Sequence, residues 1–283
     1  MNVGQALTAA QALIDPVSDS PRLDAELLLG HLTGWTRAHI FMRLQESLDA
    51  STQTAFDKLV ARRAKQEPVA YLTGEKGFWT ITLKVGPGVL VPRPETELLV
   101  EWALELVRDQ REPHIADLGT GSGAIALAIA TERPDAKITA TDFSDAALAI
   151  ARDNARQLGL QHVSLRNGCW LQALEGERCN LIVSNPPYIT LGDTHLQTLR
   201  HEPIMALTDG GDGLNAIREI VAGAPAHLLP GGWLLLEHGY DQAPAVRDLL
   251  AQAGFTQIES RIDLGGHERC SGGRVSAPEV LLV

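Results

Sequence analysis

The chain has 283 residues, 45% of them hydrophobic, with 24 Lys+Arg against 35 Asp+Glu and a formal net charge of −11. That length suits one large domain plus a small one, each burying a core, and the composition is that of an ordinary globular protein. Residues 1–91 are neutral, with nine basic and nine acidic residues, so the whole deficit falls on residues 92–283. A protein gripping a nucleic-acid backbone concentrates Lys and Arg instead, which turns the expectation towards a protein or small-molecule substrate. The cysteines Cys169, Cys179 and Cys270 form no Cys-x-x-Cys pair. This argues against a disulfide framework or zinc site and for a reducing, cytoplasmic location. No signal peptide is expected from Met1-Asn2-Val3-Gly4-Gln5, and the longest apolar run, 124–130, is too short to span a membrane.

In chain order, residues 1–73 read as a helical bundle. Ser20-Pro21 begins a helix with a capping hydroxyl and a proline in the first turn; Leu23, Leu27 and Leu28 recur at helical spacing, and Gly34 stops it. Ser51 opens a helix whose Ala55, Phe56, Leu59 and Val60 share a face. The basic Arg62, Arg63 and Lys65 near its end read first as solvated helix-end charges and second as a partner contact. No motif here carries chemistry, so a docking or recognition module is expected.

Residues 74–92 are punctuated by Gly and Pro and read as a hairpin linker. A strand is expected over Phe78–Val85, a turn at Gly86-Pro87-Gly88 and a return over Val89–Val91. Pro94-Glu95-Thr96-Glu97 then starts a helix running to Val107, with its acidic residues well placed in the first turn. Arg93 and Glu95 fit either a substrate entrance or simple helix-start roles.

From His114 onward strands and helices alternate. Strands are expected at His114–Leu118, Lys137–Thr141, His162–Arg166, Cys179–Ser184, Gly232–Glu237 and Phe255–Ser260, with helices between most of them. Such alternation predicts an α/β fold: a doubly wound, mostly parallel sheet with helices on both faces and its binding site beyond the carboxyl ends of the strands.

The first of these strands ends in Asp117-Leu118-Gly119-Thr120-Gly121-Ser122-Gly123 and runs into a helix. Glycines let the backbone turn tightly and approach a ligand. Gly119, Gly121 and Ala124 also satisfy a dinucleotide fingerprint, so the loop alone leaves two cofactor classes open. Both expect an acidic residue after the second strand. Asp142 supplies it, able to accept from two ribose hydroxyls, while Ser144 and Asp145 are better placed to cap the next helix.

Asn185-Pro186-Pro187-Tyr188, closing the fourth strand, separates the two classes. The Asn185 side-chain oxygen and the Pro186 carbonyl are two acceptors suited to the two in-plane hydrogens of an –NH2 group, with Pro187 stiffening the corner and an aromatic ring beside it. A nicotinamide enzyme has no use for that grip, whereas an amino-methyltransferase does. S-adenosylmethionine is therefore the expected cofactor. Asp117 would organise the loop or reach the cofactor's amino end. Trp170 either lies against the adenine ring or packs in the core. The histidines His195, His201, His227, His238 and His267 lack ligand spacing, so no metal is expected, and His238 reads as structural.

The chain resembles the glutamine methyltransferases of peptide chain release factors, the PrmC/HemK family, over nearly its full length. The resemblance rests on Val91–Glu97 (Val-Pro-Arg-Pro-Glu-Thr-Glu), Asp117–Gly123, Asn185–Tyr188 and Leu234-Leu235-Leu236-Glu237-His238-Gly239. It implies a class I S-adenosylmethionine-dependent, Rossmann-like domain over 93–283, behind a helical domain (1–73) that docks the release factor and the linker over 74–92. The implied reaction is N5-methylation of the glutamine in the Gly-Gly-Gln tripeptide of class 1 release factors. Gly119, Thr120, Gly121, Ser122 and Gly123, with Asp142, Phe143, Trp170 and Asn185, are implied to bind cofactor, and Asn185–Tyr188 to hold the glutamine. Three departures stand out. Cys169 replaces a common acidic residue, leaving Asn167 as another adenine partner; loop 193–203 is slightly short, with His201 where Phe is common; and Arg269–Arg274 followed by Val275–Val283 departs from the expected last strand.

An amide nitrogen is a weak nucleophile, so Asn185 and Pro186 are expected to align it, with Tyr188 packing on the glutamine side chain and closing the site to water. The chief alternative is an amino-methyltransferase acting on adenine or cytosine, with a flipped base stacked on Tyr188. The acidic catalytic part and the lack of a base-reading module weigh against it. A binding module with a degenerate loop is a second alternative, opposed by the intact Gly119-Thr120-Gly121, Asp142 and Asn185. A monomer without membrane or direct nucleic-acid partners is expected.

Overall fold

The computed structural model describes residues 1–276. It divides into two compact units: Met1–Glu75 with Gln197–His201, and Lys76–Leu196 with the chain from Glu202 onward.

The first unit is helical: α1 (Val3–Ile14), α2 (Pro21–Thr33), α3 (Arg37–Met42), α4 (Ala50–Arg63) and α5 (Val69–Thr73). Its core gathers Leu7, Ile14, Leu28, Leu29, Ile40, Phe56 and Val60. A reciprocal cap between Asn2 and Gln5 starts α1, satisfying two N–H groups that the helix leaves free. Gly34 ends α2 in a left-handed conformation, as its sequence predicts. Three local expectations fail. Ser20 makes no side-chain cap, and Pro21 alone marks the start of α2. Leu27 points outward, because Ala25, Leu28 and Leu29 form the inner stripe. Asp49, not Ser51, caps α4, accepting from the Ser51 and Thr52 N–H groups.

Arg63 is no solvated helix-end charge either. Its Nε donates to Asp24 Oδ2 at 2.8 Å and its Nη2 to the Val17 carbonyl, while the Ser18 hydroxyl donates to the same Asp24 oxygen. Arg62 pairs with Glu67 at the surface. Within the same unit, Arg200 and His201 both bond the Lys65 carbonyl, at 2.8 and 3.0 Å.

The second unit opens with a two-stranded ribbon, β1 (Glu75–Phe78) and β2 (Ile81–Lys84). The ribbon turns at Trp79-Thr80 rather than at Gly86-Pro87-Gly88, with Trp79 itself at φ 53°, and Val89–Val91 forms no strand. The aromatic, β-rich run thus contains the turn. Trp79 is held there by its N–H bond to Glu97 and its indole bond to Glu132. One 3-10 turn, Pro94–Thr96, then leads into α6 (Glu97–Leu106).

The large sheet is built from β3 (His114–Leu118), β4 (Lys137–Asp142), β5 (Ser164–Asn167), β6 (Cys179–Ser184), β7 (Leu228–Glu237), β8 (Thr256–Ile262) and β9 (Glu268–Arg274). Between them run α7 (Ala124–Glu132), α8 (Asp145–Gln157), the one-turn α9 (His195–Thr198), α10 (Asn215–His227) and α11 (Ala243–Gln252). The strand order is β5-β4-β3-β6-β7-β9-β8. β3 to β7 pair in parallel, and β9 runs antiparallel to both β7 and β8. Alternate side chains enter opposite cores. Ile115, Val183 and Leu235 join Trp102 and Ile129 on one face, whereas Ala116, Ile182 and Leu234 join Ile217 and Val246 on the other. This is the doubly wound sheet that the alternation predicts. The strand order reverses between β3 and β6, where such sheets open a ligand crevice.

β9 fills in the C-terminal end, which the sequence pattern left open. Arg269–Arg274 is an interior strand, and β8 forms the edge. Its Gly-rich composition is a packing requirement: a Cβ on Gly272 would run into Leu235 and Trp102, and one on Gly273 would sit 2.8 Å from the Phe255 Cβ. From Ala277 on, the segment read as departing from the family pattern lies outside the described residues.

Candidate active site

Register sets the site. Leu118 lies opposite both Thr141 and Ser184, Ser184 opposite Leu236, and Asp142 opposite Asn167, so the parallel strands end level. The Ser184 hydroxyl donates to the Leu118 carbonyl at 2.7 Å and ties the two central ends together. At this edge a cavity of about 280 Å³ opens, close to the lower end of small-ligand pockets.

The loop after β3 forms one wall. The N–H groups of Gly119 and Thr120 both donate to the Thr141 carbonyl, at 2.9 and 2.8 Å. Behind them Asp117 is buried, its Oδ2 accepting from the Thr120 hydroxyl at 2.6 Å and from the Ala126 N–H at 3.2 Å. Its Oδ1 is also buried and has no partner. Burial pushes its pKa up to about 7; the two hydrogen bonds oppose this, and the nearby Asp142 charge adds to it. Asp142 stands in the wall, its Oδ2 accepting from the Gly121 N–H at 2.9 Å and its Oδ1 from the Ser144 N–H at 2.8 Å. Ser144 caps α8 through Ala147, as the sequence predicts. Asp142 is not left free by this, but each carboxylate oxygen keeps a lone pair for a ligand.

The Trp170 ring lines the cavity and also packs on the core that contains Leu118 and Leu171. A Cβ on Gly119, whose φ is 73°, would lie 3.0 Å from Trp170 Cζ3, so only glycine lets the ring sit this close. Phe143 is 66% exposed at the cavity rim. Cys169 lines the cavity as well, its thiol pKa raised by burial and by Glu219. Asn167 is not a cavity residue: its Nδ2 donates to the Phe143 carbonyl and to Asp145 Oδ1.

The loop after β6 forms the facing wall. Asn185 and Pro187 line the cavity; Pro186 and Tyr188, their chain neighbours, do not line it. Asn185 Nδ2 donates to the Thr96 hydroxyl at 3.2 Å, which leaves Oδ1 to the cavity. Among the described residues, neither Asn185 Oδ1 nor the Pro186 carbonyl accepts a hydrogen bond. The Tyr188 hydroxyl donates to Glu237 Oε1 at 3.3 Å, and its carbonyl accepts from Gln242. Its hydroxyl thus ties the ring to the end of β7. Burial and the Glu237 charge raise its pKa.

Sequence reasoning missed three residues around this corner. Thr96 orients Asn185. Glu237, buried at the end of β7, has its pKa pushed up to about 7 by desolvation, opposed by Thr96, Tyr188 and Arg269 and aided by Glu95. Glu202 is buried and accepts from the Val91 N–H at 2.9 Å and from Arg93 Nη2 at 2.6 Å, so Arg93 reaches the cavity rim already paired. Glu95 is exposed in the turn before α6. A carboxylate directly after the apolar run Leu234–Leu236 was the one signal available for Glu237. His238 is fully buried between Ser271, at 2.7 Å, and the Gly239 carbonyl, a structural placement. Among the described residues no group of three or more His, Cys, Asp or Glu could hold a metal ion, and no helix is long and apolar enough to cross a membrane.

The donor set fits S-adenosylmethionine. Asp142 has acceptor capacity for ribose hydroxyls, an indole face lines the cavity, and the orphaned Asp117 Oδ1 lies behind the glycine wall.

Comparison with known proteins agrees. A model of the PrmC N-terminal domain matches residues 5–74, and one of the methyltransferase small domain matches residues 94–212. The release factor glutamine methyltransferase of Xylella fastidiosa (strain Temecula1) is 54% identical over 255 residues, covering 89% of this chain and 93% of the relative. That of Burkholderia pseudomallei is 50% identical over 283 residues, covering 97% and 99%. Among solved structures, a 16S rRNA methyltransferase of T. Thermophilus in complex with AdoMet and guanosine superposes with a TM-score of 0.54 at 21% identity, over 71% of this chain and 49% of the other, a likeness of fold. With a helical first unit, a class I methyltransferase sheet and relatives of this identity over nearly its whole length, the chain belongs to the family of release factor glutamine methyltransferases.

Proposed function

We propose that the chain methylates the side-chain amide nitrogen of the glutamine in the Gly-Gly-Gln tripeptide of class 1 peptide chain release factors. The observation that carries this reading is the pair of unpartnered acceptors, Asn185 Oδ1 and the Pro186 carbonyl, on a proline-stiffened corner. Two acceptors with no donor between them match a carboxamide –NH2 and mismatch a hydroxyl or a carbonyl.

S-adenosylmethionine supplies an electrophilic methyl group. Thr120, Gly121 and Ser122 offer the backbone wall that would hold it, with Gly119 and Gly123 shaping the turn. Asp142 would take the ribose hydroxyls, while Phe143 and Trp170 would flank the adenine. Asp117 keeps the loop closed through Thr120 and Ala126. At the corner, Asn185 and Pro186 hold the amide by its two hydrogens and turn the nitrogen towards the cavity. Those bonds strengthen as the nitrogen gains positive charge, so fixed acceptors favour the transition state over the ground state. No side chain need remove a proton beforehand. Pro187 limits backbone freedom at the corner. Tyr188 contributes by anchoring the corner to Glu237, and its ring would pack on the glutamine side chain.

The helical unit serves in this reading as the release factor's docking module, and the chain acts as a cytoplasmic monomer. The test offers labelled S-adenosylmethionine together with release factor, with DNA, or with neither, and locates the methyl group by mass spectrometry. Label on the glutamine supports the reading, whereas label on adenine or cytosine replaces it with nucleic-acid methylation.

A further inference from the structure

We infer that Asn154, on α8 and outside the cavity lining, is a positioning residue for the cofactor. Its carboxamide fastens the Ser122 carbonyl of the glycine loop to the main chain of β2 and so sets where that loop stands. The inference rests on the proposed use of the glycine loop to hold S-adenosylmethionine.

Asn is a weak helix former, and burying its amide is costly unless the polar atoms find partners. Asn154 nonetheless lies inside α8 at 1% exposure, on the same buried stripe as Ala147, Ala151 and Ala155. Its amide is matched atom by atom. Oδ1 accepts from the Lys84 N–H at 2.7 Å, and Nδ2 donates to the Lys84 carbonyl at 3.0 Å and to the Ser122 carbonyl at 2.8 Å. A flipped amide would set donors against the N–H and an acceptor against two carbonyls, so these partners fix its orientation.

The Ser122 carbonyl needs that partner for a reason local to the loop. In a regular helix it would accept from the N–H four residues on, that of Ala126. The Ala126 N–H goes to Asp117 Oδ2 instead, and Gly123 leaves the helical path at φ 87°. Asn154 takes the carbonyl so released. Elsewhere the loop is tied to β4, through Gly119 and Thr120 on the Thr141 carbonyl and Gly121 on Asp142. Asn154 adds a tie to β2, an element outside the large sheet. The helix that carries it packs on both parts: a Cβ on Gly123 would lie 3.5 Å from the Ala151 Cβ, and one on Gly88 3.8 Å from the Ala146 Cβ. Ser122 and Gly88 line the cavity, whereas Lys84 and Asn154 do not. A ligand that shifts or steadies the loop therefore acts on Lys84 through Asn154.

The test measures the Kd of S-adenosylhomocysteine by calorimetry, and amide hydrogen exchange with and without it, for the wild type, Asn154→Ala and Asn154→Asp. Thermal midpoints verify folding. Asn154→Ala is expected to weaken Kd by about tenfold, the affinity equivalent of one ordinary hydrogen bond. Asn154→Asp keeps an acceptor for the Lys84 N–H but gives up the Nδ2 donations, and is expected to lose at least as much. In steady state the cofactor KM should rise by a similar factor, while kcat on release factor at saturating cofactor stays within about threefold of wild type. A purely structural residue would lower the thermal midpoint without that split. In the wild type, ligand binding should raise protection of the Lys84 amide together with that of Gly121. This readout needs no variant and carries the test if neither substitution folds. A folded Asn154→Ala with Kd within about twofold of wild type, or a Lys84 amide indifferent to ligand, would each overturn the inference. If the wild type binds ligand and the variants bind it alike, the inference alone falls; if the wild type binds none, the cofactor reading falls and the inference with it.

Discussion

The loops that follow β3 and β6 leave the sheet at the same edge, and they differ in where their hydrogen bonds go. After β3 nearly every strong group is spent inside the protein: Gly119 and Thr120 on Thr141, Asp117 on Thr120 and Ala126, Asp142 on Gly121 and Ser144. After β6 the protein uses donors to hold the corner and leaves its acceptors open, with Asn185 Nδ2 on Thr96, the Tyr188 hydroxyl on Glu237, and Asn185 Oδ1 and the Pro186 carbonyl unpaired. One loop is a finished scaffold that shapes a cavity. The other is a scaffold with two sockets. A ligand held mainly by shape suits the first, and a group that must be oriented hydrogen by hydrogen suits the second.

Variants can break this contrast. The largest effect is expected at the open loop. Asn185→Ala should lower kcat by about 10²–10³, as removal of a single transition-state hydrogen-bonding group does elsewhere, while cofactor Kd measured by calorimetry stays close to wild type. Next comes the closed loop. In Gly119→Ala the new methyl must adopt φ 73° and meet Trp170 at 3.0 Å. The left-handed conformation alone costs an L-residue about 1–2 kcal/mol, so the free energy of unfolding measured with denaturant should fall by at least about that much, with kcat at saturating cofactor largely retained.

A pH measurement sharpens the same comparison. The carboxyl group of Asp117 titrates near pH 7 when folded and near its ordinary value of 3.8 when unfolded. Between those values the folded state binds more protons than the unfolded one, so stability falls as pH rises across that window and levels off above it. The penalty is absent below the unfolded value. Asp117→Asn can keep the acceptor that faces Thr120 and Ala126 while replacing the orphaned Oδ1. Denaturant unfolding of this variant should show a flatter pH dependence than wild type between about pH 4 and about pH 7. The smallest effect is expected at Pro187→Ala, which gives the unfolded chain more freedom and should cost about 0.4–1 kcal/mol in the same assay.

The sheet was legible because its strands are apolar on both faces: β3 and β6 run over the residues that the bare pattern marks, His114–Leu118 and Cys179–Ser184. Glycine kept β9 out of the linear reading, since Gly272 and Gly273 are small for the sake of Leu235, Trp102 and Phe255, neighbours that a linear pattern cannot show. Trp79 misled it in the opposite sense, an aromatic residue in the turn and held there by Glu97 and Glu132. At the site, the glycine loop, Asp142 and Asn185 were visible as local motifs. The groups that orient them were not. Thr96 lies 89 residues from Asn185, and Glu202 lies 111 from Val91, so only the folded chain brings each pair together. Tyr188 belonged to a visible motif, yet its direction is set by Glu237 at the end of a different strand.

The central claim is that the corner after β6 grips a carboxamide by both hydrogens. The direct measurement is a crystal structure of the protein with S-adenosylhomocysteine and a peptide carrying Gly-Gly-Gln. The account predicts the glutamine nitrogen within hydrogen-bonding distance of both Asn185 Oδ1 and the Pro186 carbonyl; a carboxamide bound with its oxygen there, or outside the cavity, would contradict it.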